Sequence, residues 1–339
     1  MINLLSDTVT KPTPGMLRAM MAAEVGDDVF REDPMVNALE AKCADLFGHE
    51  AGLFCPSGTM TNQIALKVHT RPLDEVICDE MSHIFQYEVG GYAFNSGIGV
   101  NLIRTSNGIL SADLVEAAVR PPYDWLPRST LVVIENTCNK GGGGAYNLET
   151  IREIRTVCQR KRLALHLDGA RIFNALAAKG GKPADIGAKV DSISICLSKG
   201  LGAPVGSVLV GGREFIGEAR RVRKAMGGGM RQAGYLAAAG IYALDNHIER
   251  LVEDHENARR LADTLAEMRY VENIRPVETN IVIFDLKLPV TPVSFLDYLG
   301  KNGMKASAFG PQTIRMVTHL DVTVDMIERA RAILRAYLV

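Results

Sequence analysis

Short apolar runs alternate with longer amphipathic ones along the first two thirds of the chain. The runs EVICD (75–79), TLVVIEN (130–136), RLALHLD (162–168), SISICL (192–197) and GSVLVG (206–211) are rich in Val, Ile and Leu. Polar residues or glycines bound them, which predicts buried strands. Between them lie helical patterns. In NLETIREIRTVCQRKR, Ile151, Ile154, Val157 and Cys158 share one face. Strand, helix and strand in repeated order predict a mainly parallel sheet covered by helices. From about residue 247 the texture changes. IERLVEDHENARRLADTLAEM predicts a long charged helix with Leu251, Ala258, Leu261 and Leu265 inward. TNIVIFDL, PVSFLDYLGKNG, QTIRMVTHL and a closing helix, TVDMIERARAILRAYLV, predict a smaller α/β domain. The expected division is an N-terminal segment near the active site (1–20), a large domain (21–246) and a small C-terminal domain (247–339).

Composition narrows the setting. The 339 residues include 32 glycines, which suits an α/β enzyme with many tight strand-to-helix turns. A formal net charge of −1 gives no sign of nucleic acid or an anionic membrane as partner. No apolar run reaches the ~18 residues of a transmembrane helix. MINLLSDTVTKP lacks the charged start and apolar core of a signal peptide. Cys43, Cys55, Cys78, Cys138, Cys158 and Cys196 form no close pair of the zinc or redox type. A reduced, cytoplasmic protein without a dedicated metal site is expected.

Open α/β sheets place ligands at the carboxyl ends of their strands, so reactive side chains following strands are the first candidates. LALHLDGAR ends in Asp168 with Arg171 just beyond, and SISICLSKG delivers Lys199. Singly, each has a structural reading: a helix cap, a surface ion pair, a solvated lysine. Together they match what pyridoxal 5'-phosphate requires, a lysine amine for a Schiff base and a carboxylate opposite the ring nitrogen. The glycines after Lys199 are expected to let cofactor and backbone approach closely. FCPSGTMTNQIALKVH reads as a turn into a helix, whose first N–H groups suit a phosphate. Neither a GxxxxGK[ST] loop nor a GxGxxG fingerprint is present.

These residues sit in longer motifs. The chain opens with LLSDTVTKPTPGMLRAMMAAEVGDDVFREDPMVNALE. It continues through PSGTMTNQIAL, DEMSHIFQYEVGG, IENTCNKGGG, LHLDGARIFNA, SICLSKGLGAPVGSVLVG, RRVRKAMGGGMRQAGYLAAAGIYAL and RMVTHLDV. In this order and spacing the chain resembles the low-specificity L-threonine aldolases, pyridoxal-phosphate enzymes of fold-type I (the aspartate-aminotransferase-like fold). The resemblance implies a mainly parallel seven-stranded sheet in the large domain and a small α/β domain. It implies an aldehyde lyase that cleaves L-threonine, L-allo-threonine or a related β-hydroxy-α-amino acid to glycine and an aldehyde. It further implies a homotetramer with active sites at a dimer interface.

Residue by residue, Lys199 matches the Schiff-base lysine and Asp168 the partner of the pyridine nitrogen. Arg171 matches a residue near the cofactor's phenolate oxygen and the substrate carboxylate. His83 matches the histidine stacked on the ring and is the first candidate for general base. Gly58 and Thr59 match the phosphate turn, Ser6 and Arg315 the carboxylate grip, and Lys224 and Arg231 basic residues from a neighbouring subunit. Two departures stand out. Cys138 in ENTC replaces a histidine found in many relatives. Trp125, the sole tryptophan, falls near the place of a second active-site histidine, which would suit a bulkier substrate such as β-phenylserine. Another fold-type I activity, an aminotransferase or a β-eliminating lyase, would share Asp168, Arg171 and Lys199. A non-catalytic protein that binds pyridoxal phosphate is the reading from another class.

Overall fold

The computed structural model describes residues 1–337. Its first strand, β1 (Ile2–Asn3), lies far in sequence from its partner. Seven strands follow: β2 (Ala51–Cys55), β3 (Asp74–Asp79), β4 (Gly99–Ile103), β5 (Arg128–Glu135), β6 (Ala164–Gly169), β7 (Ser192–Cys196) and β8 (Ser207–Gly211). They form one sheet in the order β2-β8-β7-β6-β5-β3-β4. Only β8 runs against its neighbours. This is the mainly parallel seven-stranded sheet expected. The five strands read from the sequence agree to within two residues at their ends. Strands β3, β7 and β8 are buried along their full length, which is why their apolar runs are nearly unbroken.

Two strands carry little sequence signal. β4 forms the sheet edge, is half exposed and includes Gly99 and Asn101. β2 contains Gly52, whose Cα faces the Glu40 backbone so closely that a Cβ at this position would meet it.

The second body holds β9 (Val271–Ile274), β10 (Ile281–Leu286), β11 (Met304–Lys305), β12 (Ser307–Ala308) and β13 (Thr313–Val317). Its four-stranded sheet runs β12-β13-β10-β9. The helix Leu251–Ala266 packs Ala258, Leu261 and Leu265 into its apolar core, together with the closing helix Val324–Arg335. This core also takes in Ile2 and Leu4 from the other end of the chain. Strand β1 pairs in parallel with β11. The first residues are thus built into the small body before the chain crosses to the large one. Among the described residues no helix is long and apolar enough to cross a membrane.

The two faces of the large sheet differ. Leu165, Leu167, Ile193 and Ile195 point into the main apolar core, against Ile151 and Ile154 of the helix Leu148–Lys161. The alternate residues His166, Asp168, Ser192 and Ser194 are fully buried yet polar. They lie beneath the helix Gly58–His69 and contribute directly to the site.

Candidate active site

The carboxyl ends of the parallel strands converge on one rim. Asp168 closes β6, Glu135 closes β5, and Lys199 follows β7 on a short loop. His83 opens the one-turn helix after β3, and the helix Gly58–His69 begins just beyond β2. Arg171 caps the helix Ile172–Lys179.

Asp168 is 2% exposed. It accepts hydrogen bonds from Asn62 Nδ2 at 2.8 Å and from the Ala170 N–H at 3.1 Å. Across from it, His83 Nδ1 meets Glu88 Oε1 at 2.8 Å. A carboxylate can only accept there, so Nδ1 carries a proton, and in the neutral ring Nε2 holds the lone pair. Burial alone would lower the His83 pKa, but the Glu88 bond and the nearby Asp168 and Glu135 raise it above its ordinary value. Glu135 accepts from the backbone N–H groups of His83 (2.8 Å) and Asn139 (3.0 Å). Burial, reinforced by the charge of Asp168, pushes its carboxyl up to about 7.

Residues 5–7 organise the carboxylate side. Asp7, fully buried, takes Arg171 Nε and Nη2 at 2.6 and 2.8 Å in a two-pronged pair. Burial would raise the Asp7 carboxyl, but Arg171 outweighs it and holds the group at about 2. Lys199 lies close enough to add to that effect. The Leu5 carbonyl accepts from Arg315 Nη2 at 3.0 Å, and Asn139 Oδ1 accepts from Nη1 at 2.8 Å. Arg315 Nε is buried without a partner. Burial and the adjacent Arg171 guanidinium both lower the Arg315 pKa from its ordinary value. Ser6 sits between these anchors, where its Oγ caps a single 3-10 turn by accepting from the Thr8 N–H at 3.2 Å.

Lys199 is half-buried, and among the described residues no carboxylate lies within ion-pair distance of it. Its loop glycines meet demands of the backbone and of packing. Gly202 has φ +77°, and a Cβ there would strike Leu320. Gly206 has φ +113° and lies against the Phe54 ring.

Gly58 and Thr59 supply the first turn of the helix Gly58–His69, capped by Ser57 Oγ at 3.2 Å from the Met60 N–H. Ser207 Oγ, buried and without a hydrogen-bond partner, lies 3.4 Å from where a Cβ on Gly58 would stand. Helix N–H groups, a serine cap and an unpartnered hydroxyl suit a phosphate. With an unpaired amine at Lys199, a buried carboxylate at Asp168 and an imidazole at His83, this donor set fits pyridoxal phosphate.

Three expected substrate-binding residues are not brought to the site within one chain. Trp125 is 74% exposed and stacks on Tyr123 with ring centroids 4.7 Å apart. It precedes β5 and therefore lies at the amino ends of the strands, in a groove with Pro72, Leu73 and Pro121. Placing it in the substrate pocket of its own chain is corrected by the direction of β5. Arg231 pairs with Asp27 at 2.8 Å on the surface. Lys224 lines a basic groove with Arg31, Arg220 and Arg221.

Asp7, Asn62, Glu88, Glu135 and Asn139 were missed by the sequence reading. For Glu135 a signal existed, since it ends a strand as Asp168 does. The rule is not selective: Asp79 also ends a strand, yet its carboxylate caps the Met81 N–H and takes Thr105 Oγ1. Next to Glu88, Val89 is 99% exposed with φ +57°, a left-handed conformation costly for a β-branched residue. Val89→Gly is expected to stabilise the fold by ~0.5–1 kcal/mol, read as a raised urea midpoint at unchanged slope.

Comparison with known proteins covers nearly the whole chain. The family model described as beta-eliminating lyase matches residues 3–289. The low specificity L-threonine aldolase of Escherichia coli K12 is 42% identical, over all of this chain and 99% of its own length. The low-specificity L-threonine aldolase 1 of Arabidopsis thaliana is 40% identical, over 95% of this chain and 92% of its own. Among solved structures, the threonine aldolase of Leishmania major superposes with a TM-score of 0.87, covering 99% of both chains. At 22% identity that match is a likeness of fold.

Proposed function

The chain belongs to the beta-eliminating lyase family, and from that premise we propose that it is a pyridoxal-phosphate-dependent aldehyde lyase. Its substrate is L-threonine, L-allo-threonine or a related β-hydroxy-α-amino acid, cleaved to glycine and an aldehyde. Full-length likeness to threonine aldolases supports the substrate class. The observation that carries the reading is the pair of neighbouring guanidiniums, Arg171 and Arg315, beside Lys199. Asp7 occupies only Arg171, and Arg315 Nε has no partner. A substrate carboxylate completes the set.

In this reading Lys199 would hold the cofactor covalently through its amine, Asp168 would partner the ring nitrogen, His83 would flank the ring, and Gly58, Thr59 and Ser207 would take the phosphate. When bound, the cofactor supplies an electron sink for a bond breaking at the substrate α-carbon. The protein decides which bond. Arg315, Arg171 and Ser6 hold the carboxylate and so fix the rotation about the α-carbon, placing Cα–Cβ where its electrons can leave. His83 Nε2, free because Nδ1 is committed to Glu88, takes the β-hydroxyl proton. The C–O bond becomes the aldehyde carbonyl as Cα–Cβ breaks, and a proton delivered to Cα gives glycine.

A substrate panel tests this directly. Purified protein with pyridoxal phosphate is expected to release acetaldehyde from L-threonine and L-allo-threonine, with glycine in equal amount. Transfer of the amino group to a keto acid instead would replace the aldolase by an aminotransferase. A clear preference for β-phenylserine would point to a bulkier side-chain pocket than threonine needs.

The assembly in this reading is a homotetramer in the cytoplasm. Trp125, Lys224 and Arg231 lie on the outside of one chain, where a second copy's site can be reached. The six cysteines are free and buried, which suits a reducing compartment. Light scattering is expected to give the mass of four chains.

A further inference from the structure

The polar stripe beneath the helix Gly58–His69 is longer than a binding site needs. It begins at His69, at the far end of that helix, and ends at Asp168. His69 Nε2 lies 2.7 Å from Ser192 Oγ, and Ser192 Oγ lies 2.8 Å from His166 Nδ1. His166 Nε2 lies 3.3 Å from Asn62 Oδ1. Asn62 Nδ2 then donates twice, to Asp168 Oδ2 at 2.8 Å and to Glu88 Oε1 at 2.9 Å. Asn62 and His69 are seven residues apart and face the same way from their helix. His166 and Ser192 are paired neighbours on β6 and β7.

The donor directions can be assigned from the carboxylate end. Two carboxylates accept from Asn62, so its amide nitrogen faces them and its Oδ1 faces His166. His166 Nε2 must then carry the proton, and Nδ1 accepts from the Ser192 hydroxyl. Ser192 Oγ in turn accepts from His69 Nε2–H. Every bond points toward the carboxylates. Both imidazoles are neutral, because burial lowers His166 to about 3 and His69 to about 4. The stripe therefore carries oriented dipoles and no positive charge. Buried polar side chains weaken a core unless all are satisfied, and an apolar filling would pack as well. What the polar filling adds is a defined position for Asn62.

We propose that Asn62, held by His166 and Ser192, is a positioning residue that aims Asp168 at the cofactor ring and Glu88 at His83 through the two hydrogens of one amide. One amide is then shared by the electron sink and the base, while Gln63 Nε2 holds the other oxygen of Glu88 and the Ala170 N–H the other oxygen of Asp168. The inference rests on the function proposed above and deepens it.

The test uses the full chain, stripped of cofactor and titrated with pyridoxal phosphate. Asn62→Asp keeps the shape and replaces the donor by an acceptor. It is expected to weaken cofactor binding by about tenfold or more and to alter the absorption spectrum of the bound cofactor. For the amino-acid substrate, kcat falls while KM stays within about twofold, because Arg171 and Arg315 lie outside the stripe. Ser192→Ala removes one hydroxyl two links away and is expected to shift binding and spectrum the same way, by a smaller factor. If Asn62→Asp does not fold, Ser192→Ala decides the matter alone. Native affinity and a native spectrum in the folded variants would overturn the positioning role while the proposed function stands. Failure of the unaltered protein to bind pyridoxal phosphate would overturn both.

Discussion

Lys199→Ala is expected to reduce aldehyde release from L-threonine by roughly four to six orders of magnitude and to remove the long-wavelength absorption of bound pyridoxal phosphate. The size follows from the role. Lys199 is the amine the apolar strand β7 delivers to the rim, where no carboxylate among the described residues pairs with it. A lysine held there without an ion partner contributes little to folding, so the melting of the cofactor-free variant should shift by no more than about 0.5 kcal/mol. Loss of activity with intact folding separates a reacting lysine from a structural one. Retention of more than a small fraction of activity would assign the chemistry to another group.

The second large effect concerns a residue that touches no substrate. Asp7→Ala leaves the Arg171 guanidinium buried without its counter-charge. Breaking one side of a buried pair typically costs ~3–5 kcal/mol, and KM for the amino acid should rise because Arg171 loses its fixed direction. Asp7→Asn, which keeps an acceptor, should lose less stability. The pair also has a pH signature. The folded Asp7 carboxyl is held at about 2 against an ordinary value of 3.8. Its contribution, about 2 kcal/mol, is fully present above pH ~4 and is lost as pH falls through ~2. Denaturant midpoints across that window should fall more steeply for the native protein than for Asp7→Asn. Parallel curves would remove Asp7 from the account of acid stability.

What the sequence revealed follows from which interactions are local. Strands buried on both faces announce themselves, so β3 and β5 to β8 were legible. The edge strand β4, with Gly99 and Asn101, reads as a loop because its outer side needs no apolar residues. The strand-end rule found Asp168 and Lys199 because their chemistry depends on topology. It could not weigh Glu135 against Asp79, since one positions His83 and the other merely caps a turn. The partnership of Asp7 with Arg171 spans 164 residues and has no local trace. Trp125 shows the opposite failure. Its place in the motif order suggested the pocket, but residues before β5 emerge at the end of the sheet remote from the rim.

The beginning of the chain, finally, is a strap. Ile2 and Leu4 are clamped in the small body, Leu5 tethers Arg315, and Asp7 is held both by Arg171 of the large body and by Asn280 just before β10. Chain ends are usually the most freely trimmed parts of a domain. Here, losing half a dozen residues would act as an injury to the reaction centre. In the proposed reading, rocking of the small body against the large one would pull on this strap and so on the residues that hold the substrate's carboxylate.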